Sequence, residues 1–166
     1  MTRIDDTDRR RLTRAVELSR RSPLSPTHYA VGATVFSAEG QLLAGGFTGE
    51  TDPAYHAEEA ALAKLTGTDL RGATIYTSLE PCTFRRSRPV PCTQLILDAG
   101  LTRVVLALRE PSLFADCVGV QTLVDAGVEV LEIADLGPVV REINAHLLQH
   151  GEEGRPGDQT PGRPSS

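Results

Sequence analysis

Four side chains in this sequence have the types and spacing for hydrolytic chemistry at a metal: His56, Glu58, Cys82 and Cys92. His56 and Glu58 sit two apart in His56-Ala57-Glu58, and each cysteine follows a proline, in Pro81-Cys82 and Pro91-Cys92. Imidazole nitrogen and thiolate sulfur are donors that zinc prefers, and three protein donors leave a fourth tetrahedral position for water. Zinc would lower the pKa of that water from about 16 toward 7. A carboxylate two residues from one donor is well placed to move the water's protons, as general base and then as general acid. The alternative is a structural zinc site. Such sites close with four protein ligands, and only His28 or Cys117 could supply another here. The presence of Glu58 favours the catalytic arrangement.

Several elements must position these groups. Asp5 to Arg21 reads as an amphipathic helix with Leu12, Ala15, Val16 and Leu18 on its apolar side, stopped by Pro23 and Pro26. Residues 30–36 and 41–47 read as a hairpin around the turn Ala38-Glu39-Gly40. Asp52-Pro53 predicts a helix start, Asp as N-cap and Pro at the first helical position, with the helix running to Leu65 and ended by Gly67. Its inward stripe, Ala57, Ala61 and Leu65, is small enough for close packing on a sheet. His56 then falls in the first turns of this helix. Residues two apart diverge by roughly 200° on a regular helix, so His56 and Glu58 share a cavity only if it wraps around the helix end, which is the expectation. A third strand, 73–78, delivers Leu79-Glu80-Pro81-Cys82 at its C-terminal end, and a helix over 91–99 carries Cys92 in its first turn. Beyond it the chain alternates: strand 103–108, helix 119–126, strand 128–133, helix 137–149. That alternation implies parallel strands and an α/β class.

Composition narrows the setting. The chain has 166 residues, 40% of them hydrophobic and 23% charged, which suits a single globular domain. Its net charge of −5 argues against a general nucleic-acid binder, and aromatic residues for base stacking are sparse at 4%. No apolar run reaches the length of a bilayer span, and the Arg-rich N-terminus has no signal-type apolar core. Three cysteines make no disulfide framework and fit a reducing cytoplasm with metal-bound thiolates. From Gly151 onward Gly, Pro, Ser and charge dominate, so 1–150 is read as the domain and 151–166 as a disordered tail.

Four segments, taken in order, resemble the cytidine-deaminase-like zinc superfamily: Val31-Gly32-Ala33, the run Asp52 to Glu58, Thr77-Ser78-Leu79-Glu80-Pro81-Cys82, and Pro91-Cys92. The zinc deaminases are known for a P-C-x-x-C cysteine half and a Glu that is not a ligand, whereas nine residues separate the cysteines here. That wide spacing, with Arg88-Pro89-Val90-Pro91-Cys92 and Ala126-Gly127-Val128-Glu129-Val130, is most similar to the pyrimidine deaminase domain of riboflavin biosynthesis, over roughly residues 8–133. The resemblance implies a three-layer α/β/α fold with a central mixed sheet of about five strands. It implies His56, Cys82 and Cys92 as ligands of Zn2+, Glu58 as proton shuttle, and Arg88 at the family's basic substrate-contacting position. It further implies a homo-oligomer, dimer or tetramer, acting on a small heterocycle, which in that family is a phosphorylated ribosylamino pyrimidine.

The departures from the family lie in the substrate-reading parts. The loop between the cysteines is one residue longer, and Thr83-Phe84-Arg85-Arg86-Ser87 lacks the family's His and Gly. Thr27-His28-Tyr29 stands where the family has Pro-Asn-Pro, Glu110-Pro111-Ser112-Leu113 replaces an Asp-Pro-Asn-Pro-like loop, and Cys117 replaces a glycine. No reductase domain follows within the sequence. Arg85, Arg86 and Arg88 are candidates to clamp a substrate phosphate, since Arg suits bidentate oxyanion recognition; the bland alternative is a solvated loop. His28 is either a substrate contact or a surface residue of its turn. Cys117 reads as a packing thiol, Glu59 as a solvent-facing helix residue and Glu80 as a loop anchor, and His146 and His150 are given no role. The expected function is zinc-dependent hydrolytic deamination of an amino-pyrimidine or related heterocycle, with the phosphorylated diaminopyrimidine of riboflavin biosynthesis as the candidate the resemblance implies. Two alternatives stand beside it: deamination of a free base or nucleoside of guanine or cytosine type, and a non-catalytic zinc-stabilised domain that binds a nucleotide or partner.

Overall fold

The computed structural model describes residues 3–85, 88–111 and 117–148. Arg86, Ser87, Ser112, Leu113, His150 and the expected tail over 151–166 lie outside the described residues. Five strands form one sheet in the order β2-β1-β3-β4-β5, with β1 at Gly32–Phe36, β2 at Leu42–Phe47, β3 at Thr74–Leu79, β4 at Arg103–Leu108 and β5 at Glu129–Glu132. β1 pairs antiparallel with β2 and with β3. β4 runs parallel to β3 and β5 parallel to β4. The sheet is therefore mixed, five-stranded and flanked by helices, as the resemblance implied.

The helices cover both faces. α1 (Asp6–Leu18) and α5 (Gly137–Ile143) pack on one face, where Leu12, Ala15, Val16 and Val140 meet Phe36, Tyr76 and Val105. α2 (Ala57–Ala63), α3 (Cys92–Asp98) and α4 (Gly119–Asp125) lie on the other, where Ala57, Ala61, Ile96 and Leu123 meet Val35, Ile75 and Val104. α1 starts with a capping box: the Asp5 carboxylate accepts from the Asp8 N–H and the Asp8 carboxylate from the Asp5 N–H. Asp8 also fixes α1 to the sheet, since Arg103 of β4 donates to both its oxygens at 2.8–2.9 Å and the Tyr76 hydroxyl at 2.7 Å. No helix among the described residues is long and apolar enough to cross a membrane.

The expected helix start at Asp52-Pro53 is corrected. The Asp52 carboxylate accepts from the Ala54 N–H at 2.7 Å, and the Tyr55 N–H bonds the Asp52 carbonyl. This Asx turn consumes the residues that would have opened the helix. α2 begins at Ala57, and His56 is its N-cap with extended backbone (φ −81°, ψ 157°).

A candidate metal centre and its cavity

Three elements converge at the C-terminal end of β3. His56 comes from the N-cap of α2, Cys82 from the loop that leaves β3, and Cys92 from the first residue of α3. The His56 Nδ1 lies 3.6 Å from the Cys82 Sγ and 3.4 Å from the Cys92 Sγ. All three donor atoms lie within 4.8 Å of one another. The bond lengths zinc makes to nitrogen and sulfur place such donors about 3.6 Å apart around a tetrahedron. The residues fit a zinc ion in number, type and spacing.

Local hydrogen bonds hold the two sulfur donors together. The Cys92 N–H points at the Cys82 Sγ at 3.3 Å, and both the N–H and the hydroxyl of Thr93 bond the Cys82 carbonyl. The Cys82 thiol is pulled down to about 4, first because the Cys92 thiol bonds it, against the cost of burial and with help from His56 and the Cys92 N–H. Cys92 is fully buried and pushed up, by the same contact with Cys82 and by burial. The pair thus favours one proton between two sulfurs, and a dication at the site would displace it.

A cavity of about 510 Å³, within the usual range for small-molecule sites, opens over this cluster and is lined by His56, Glu58 and Cys82. The expectation that His56 and Glu58 share one cavity around the helix end is met, for a simpler reason than helix periodicity suggested. His56 is in extended backbone before the helix, so the divergence of a regular helix does not apply. Glu58 is buried, at 3% exposure, and its Oε1 accepts from the Thr77 hydroxyl at 2.7 Å. Burial raises its pKa, opposed by His56 and by the Thr77 bond. Neither candidate for a fourth protein donor joins the ligand cluster among the described residues. His28 lines the cavity with Nδ1 beside the Thr27 and Ser25 hydroxyls, and Cys117 donates to the Pro81 carbonyl at 3.4 Å. Among the described residues the cluster thus offers three protein donors, and two of their residues, His56 and Cys82, line the cavity that Glu58 also lines.

The remaining lining carries further ionisable groups. His28 is shifted down by burial and by the neighbouring His56 and Arg85 charges. Glu110 is pushed up to about 7 and Cys117 to about 12, in both cases chiefly by burial. Phe84 lines the cavity yet is 70% exposed at its edge. Glu80 anchors the loops as expected: its carboxylate accepts from the Glu110 N–H at 3.0 Å and the Val120 N–H at 2.9 Å.

The arginines behave differently from a solvated loop. The Arg85 side chain is only 1% exposed, and it donates to the Ala54 carbonyl at 2.6 Å while pairing with Glu59 at 3.2 Å. Arg88 pairs with Asp52 at 3.0 Å and Glu59 at 3.4 Å and lies over the Tyr55 ring, away from the cavity lining. Glu59 is thus not solvent-facing but a counter-ion for two arginines. Sequence reasoning missed this because helical spacing from Asp52 assigned Glu59 the wrong surroundings. It also gave no role to Thr77, whose signal was available: a polar residue in the otherwise aliphatic row Ile75–Thr77–Leu79 of a central strand.

Comparisons with known proteins agree with this geometry. The profile of the family described as the cytidine and deoxycytidylate deaminase zinc-binding region matches residues 5–108. A diaminohydroxyphosphoribosylamino-pyrimidine deaminase of Schizosaccharomyces pombe is 34% identical over 125 residues, covering 73% of this chain and 31% of that protein. The riboflavin biosynthesis protein RibD of Aquifex aeolicus is 36% identical over 126 residues, covering 76% and 34%. The chain spans about a third of the length of these curated relatives. Among solved structures, a diaminohydroxyphosphoribosylaminopyrimidine deaminase/5-amino-6-(5-phosphoribosylamino)uracil reductase from Thermotoga maritima superposes with a TM-score of 0.77 at 32% identity, covering 90% of this chain and 42% of that one. The dCMP deaminase of cyanophage S-TIM5, at 22% identity and a TM-score of 0.62, shares the fold.

Proposed function

The chain belongs to the cytidine and deoxycytidylate deaminase zinc-binding family, and from that premise we propose that it is a zinc-dependent hydrolytic deaminase of an amino-substituted pyrimidine. The substrate class proposed is the phosphorylated ribosylamino diaminopyrimidine of riboflavin biosynthesis, which the names of the relatives support. One observation carries the proposal: Glu58 lines the same cavity as His56 and Cys82 of the His56, Cys82 and Cys92 cluster. These three residues would hold zinc, which supplies Lewis acidity and brings the pKa of water toward neutrality. Glu58 accepts a proton from the attacking water. It delivers that proton to a ring nitrogen and then carries the second proton of the same water, from the newly added hydroxyl, to the departing amine, so that ammonia leaves and a carbonyl remains. Burial favours the protonated form of Glu58, and the hydrogen bond from Thr77 favours the carboxylate.

Arg85 and His28, in the cavity lining, are proposed to contact the substrate, with Arg86 from the same loop, and Arg88 would join them only by leaving its pairs with Asp52 and Glu59. Residues 1–150 are proposed as the catalytic domain, working as a homo-oligomer, a dimer or tetramer, in the cytoplasm. A second substrate reading, a free base or nucleoside of guanine or cytosine type, is favoured by Arg88, which is engaged by Asp52 and Glu59 rather than left for a phosphate.

Ammonia release by the zinc-loaded protein tests the proposal. The panel is the diaminopyrimidine phosphate, cytosine, guanine and their nucleosides. Glu58→Ala is expected to retain zinc and lose at least the roughly 10²–10⁴-fold typical of a general acid–base group. Equal rates in wild type and variant would refute the role of Glu58. A zinc-loaded wild type inert on the whole panel would favour the non-catalytic binding domain.

A further inference from the structure

We infer that Thr77 is a positioning residue for the reaction: its buried hydroxyl ties down one oxygen of Glu58 and so leaves the other as the working oxygen. The inference rests on the proposed role of Glu58 as proton carrier. Thr77 sits in the middle of β3, paired with Ala33 of β1 on one side and Leu106 of β4 on the other. Its row neighbours Ile75 and Leu79 belong to the apolar core under α2, because alternate strand residues share a face. A hydroxyl in this row, with no exposure to solvent, needs a polar partner to offset the cost of its burial.

Two acceptors flank it. The Thr77 Oγ1 lies 2.7 Å from the Glu58 Oε1 and 3.1 Å from the Leu79 carbonyl. A threonine hydroxyl has one proton to give, and the shorter contact, to a carboxylate, is the stronger. Oε1 is thereby held against the sheet. Glu58 lines the cavity while Thr77 does not, so Oε2 is the oxygen left to exchange protons with water and substrate. The anchor itself is rigid, being on a central strand hydrogen-bonded on both sides. Since a misplacement of about 1 Å costs a catalytic group roughly 10²-fold, fixing the carboxylate from below is a direct contribution to rate. Thr77 touches neither metal donor nor cavity, which separates it from the catalytic groups.

The experiment compares Thr77→Val, which keeps shape and strand preference, with Thr77→Ser, which keeps the hydroxyl, in the zinc-loaded full chain. On the best substrate of the panel, Thr77→Val is expected to lower kcat about tenfold to a hundredfold, the range for losing a hydrogen bond to a charged group, with KM and zinc content unchanged. Thr77→Ser is expected to recover most of that loss. In a Glu58→Ala background, Thr77→Val is expected to cost nothing further. A second readout does not need turnover: Thr77→Val should lower Tm by about 3–12 °C when Glu58 is present, and by clearly less when it is Ala. Unchanged kcat in Thr77→Val, or a Tm effect that ignores residue 58, overturns the inference. If the wild type is inert on the panel, the deaminase reading fails, and the unfolding cycle alone decides whether the hydroxyl holds Glu58.

Discussion

The alanine-rich face of α2 makes a demand on the strand beneath it that a single methyl group can probe. Gly46 of β2 pairs with Ala33 in the sheet, and a Cβ at Gly46 would fall 2.6 Å from both the Ala57 carbonyl oxygen and the Ala61 nitrogen, and 2.7 Å from the Ala60 Cβ. The first two are backbone atoms, so no side-chain rotation relieves the clash. For Gly46→Ala, α2 must retreat by roughly 0.8 Å to restore the 3.4 Å of ordinary contact. The expected cost is about 1–3 kcal/mol, as for other overpacked cores. At about 2–4 °C per kcal/mol for a chain of this length, Tm should fall by roughly 3–10 °C. The helix that moves carries Glu58 and is capped by His56. A shift of nearly 1 Å there should reduce turnover by about a hundredfold, well beyond what the stability loss alone explains at assay temperature. Gly45→Ala is the matched control, since its Cβ meets the end of the Leu18 side chain at 3.1 Å on the opposite face, and that side chain can turn away. Thermal unfolding, zinc content and ammonia release of the two variants make the comparison. If Gly46→Ala matches wild type in both Tm and rate, α2 does not owe its position to this contact and the packing argument is wrong.

Two further outcomes follow from the charged groups. Glu59→Gln removes the counter-ion of Arg85, whose side chain is almost wholly buried, and should destabilise by about 3 kcal/mol as a broken buried pair does; urea unfolding measures it, and a loss no larger than that of a surface substitution would restore the solvated-loop view of this arginine. Burial would raise Asp8, but Arg103 and Tyr76 outweigh it and hold the carboxyl below its ordinary 3.8. A lowered folded pKa means the stabilisation is complete above 3.8 and is lost as pH falls through the lower folded value. The stability gap between wild type and Asp8→Asn should therefore be constant from neutral pH down to about 4 and close below it. A gap that persists in acid would mean that Asp8 acts through packing rather than charge.

The fold and the meeting of His56, Cys82 and Cys92 were legible because their signals are local and strong. The small stripe of Ala57 and Ala61 matched a close helix–sheet contact, and the two Pro-Cys pairs marked the loop that leaves β3 and the loop-to-helix junction at α3. What was hidden depended on which of two local options the backbone took. Asp52-Pro53 satisfies the pattern of a helix start, but the same carboxylate can bond the N–H two residues on, and it does so here. That choice delays the helix by several residues and turns His56 from a helical residue into an N-cap. The environment of Glu59 then changes with it, from open solvent to a position between Arg85 and Arg88. Neither arginine's partner could be found from spacing, because Arg85 lies 26 positions and Arg88 29 positions from Glu59, well beyond the reach of any local periodicity.

The distribution of familiar and unfamiliar residues within the cavity separates two questions that one assay could confuse. His56, Glu58 and Cys82, which the sequence motifs match to the family, share a lining with His28, Phe84, Arg85, Glu110 and Cys117, which the same motif reading expects to differ. The first set has contacts that depend little on the second: the Glu58 Oε1 is held by Thr77, and Cys82 by Cys92 and Thr93. The second set is held mainly by its own partners, Arg85 by Ala54 and Glu59, the Glu110 backbone by Glu80, and Cys117 by Pro81. On the proposed reading, substrate preference can therefore change by substitution in the second set while the proton chemistry stays intact. The two sets are not wholly independent, since Arg85 also bonds the turn that leads into His56. Arg85 is thus the residue at which a change of specificity would also disturb the metal donors. Phe84, exposed and without such a bond, is where a change of specificity would leave them undisturbed.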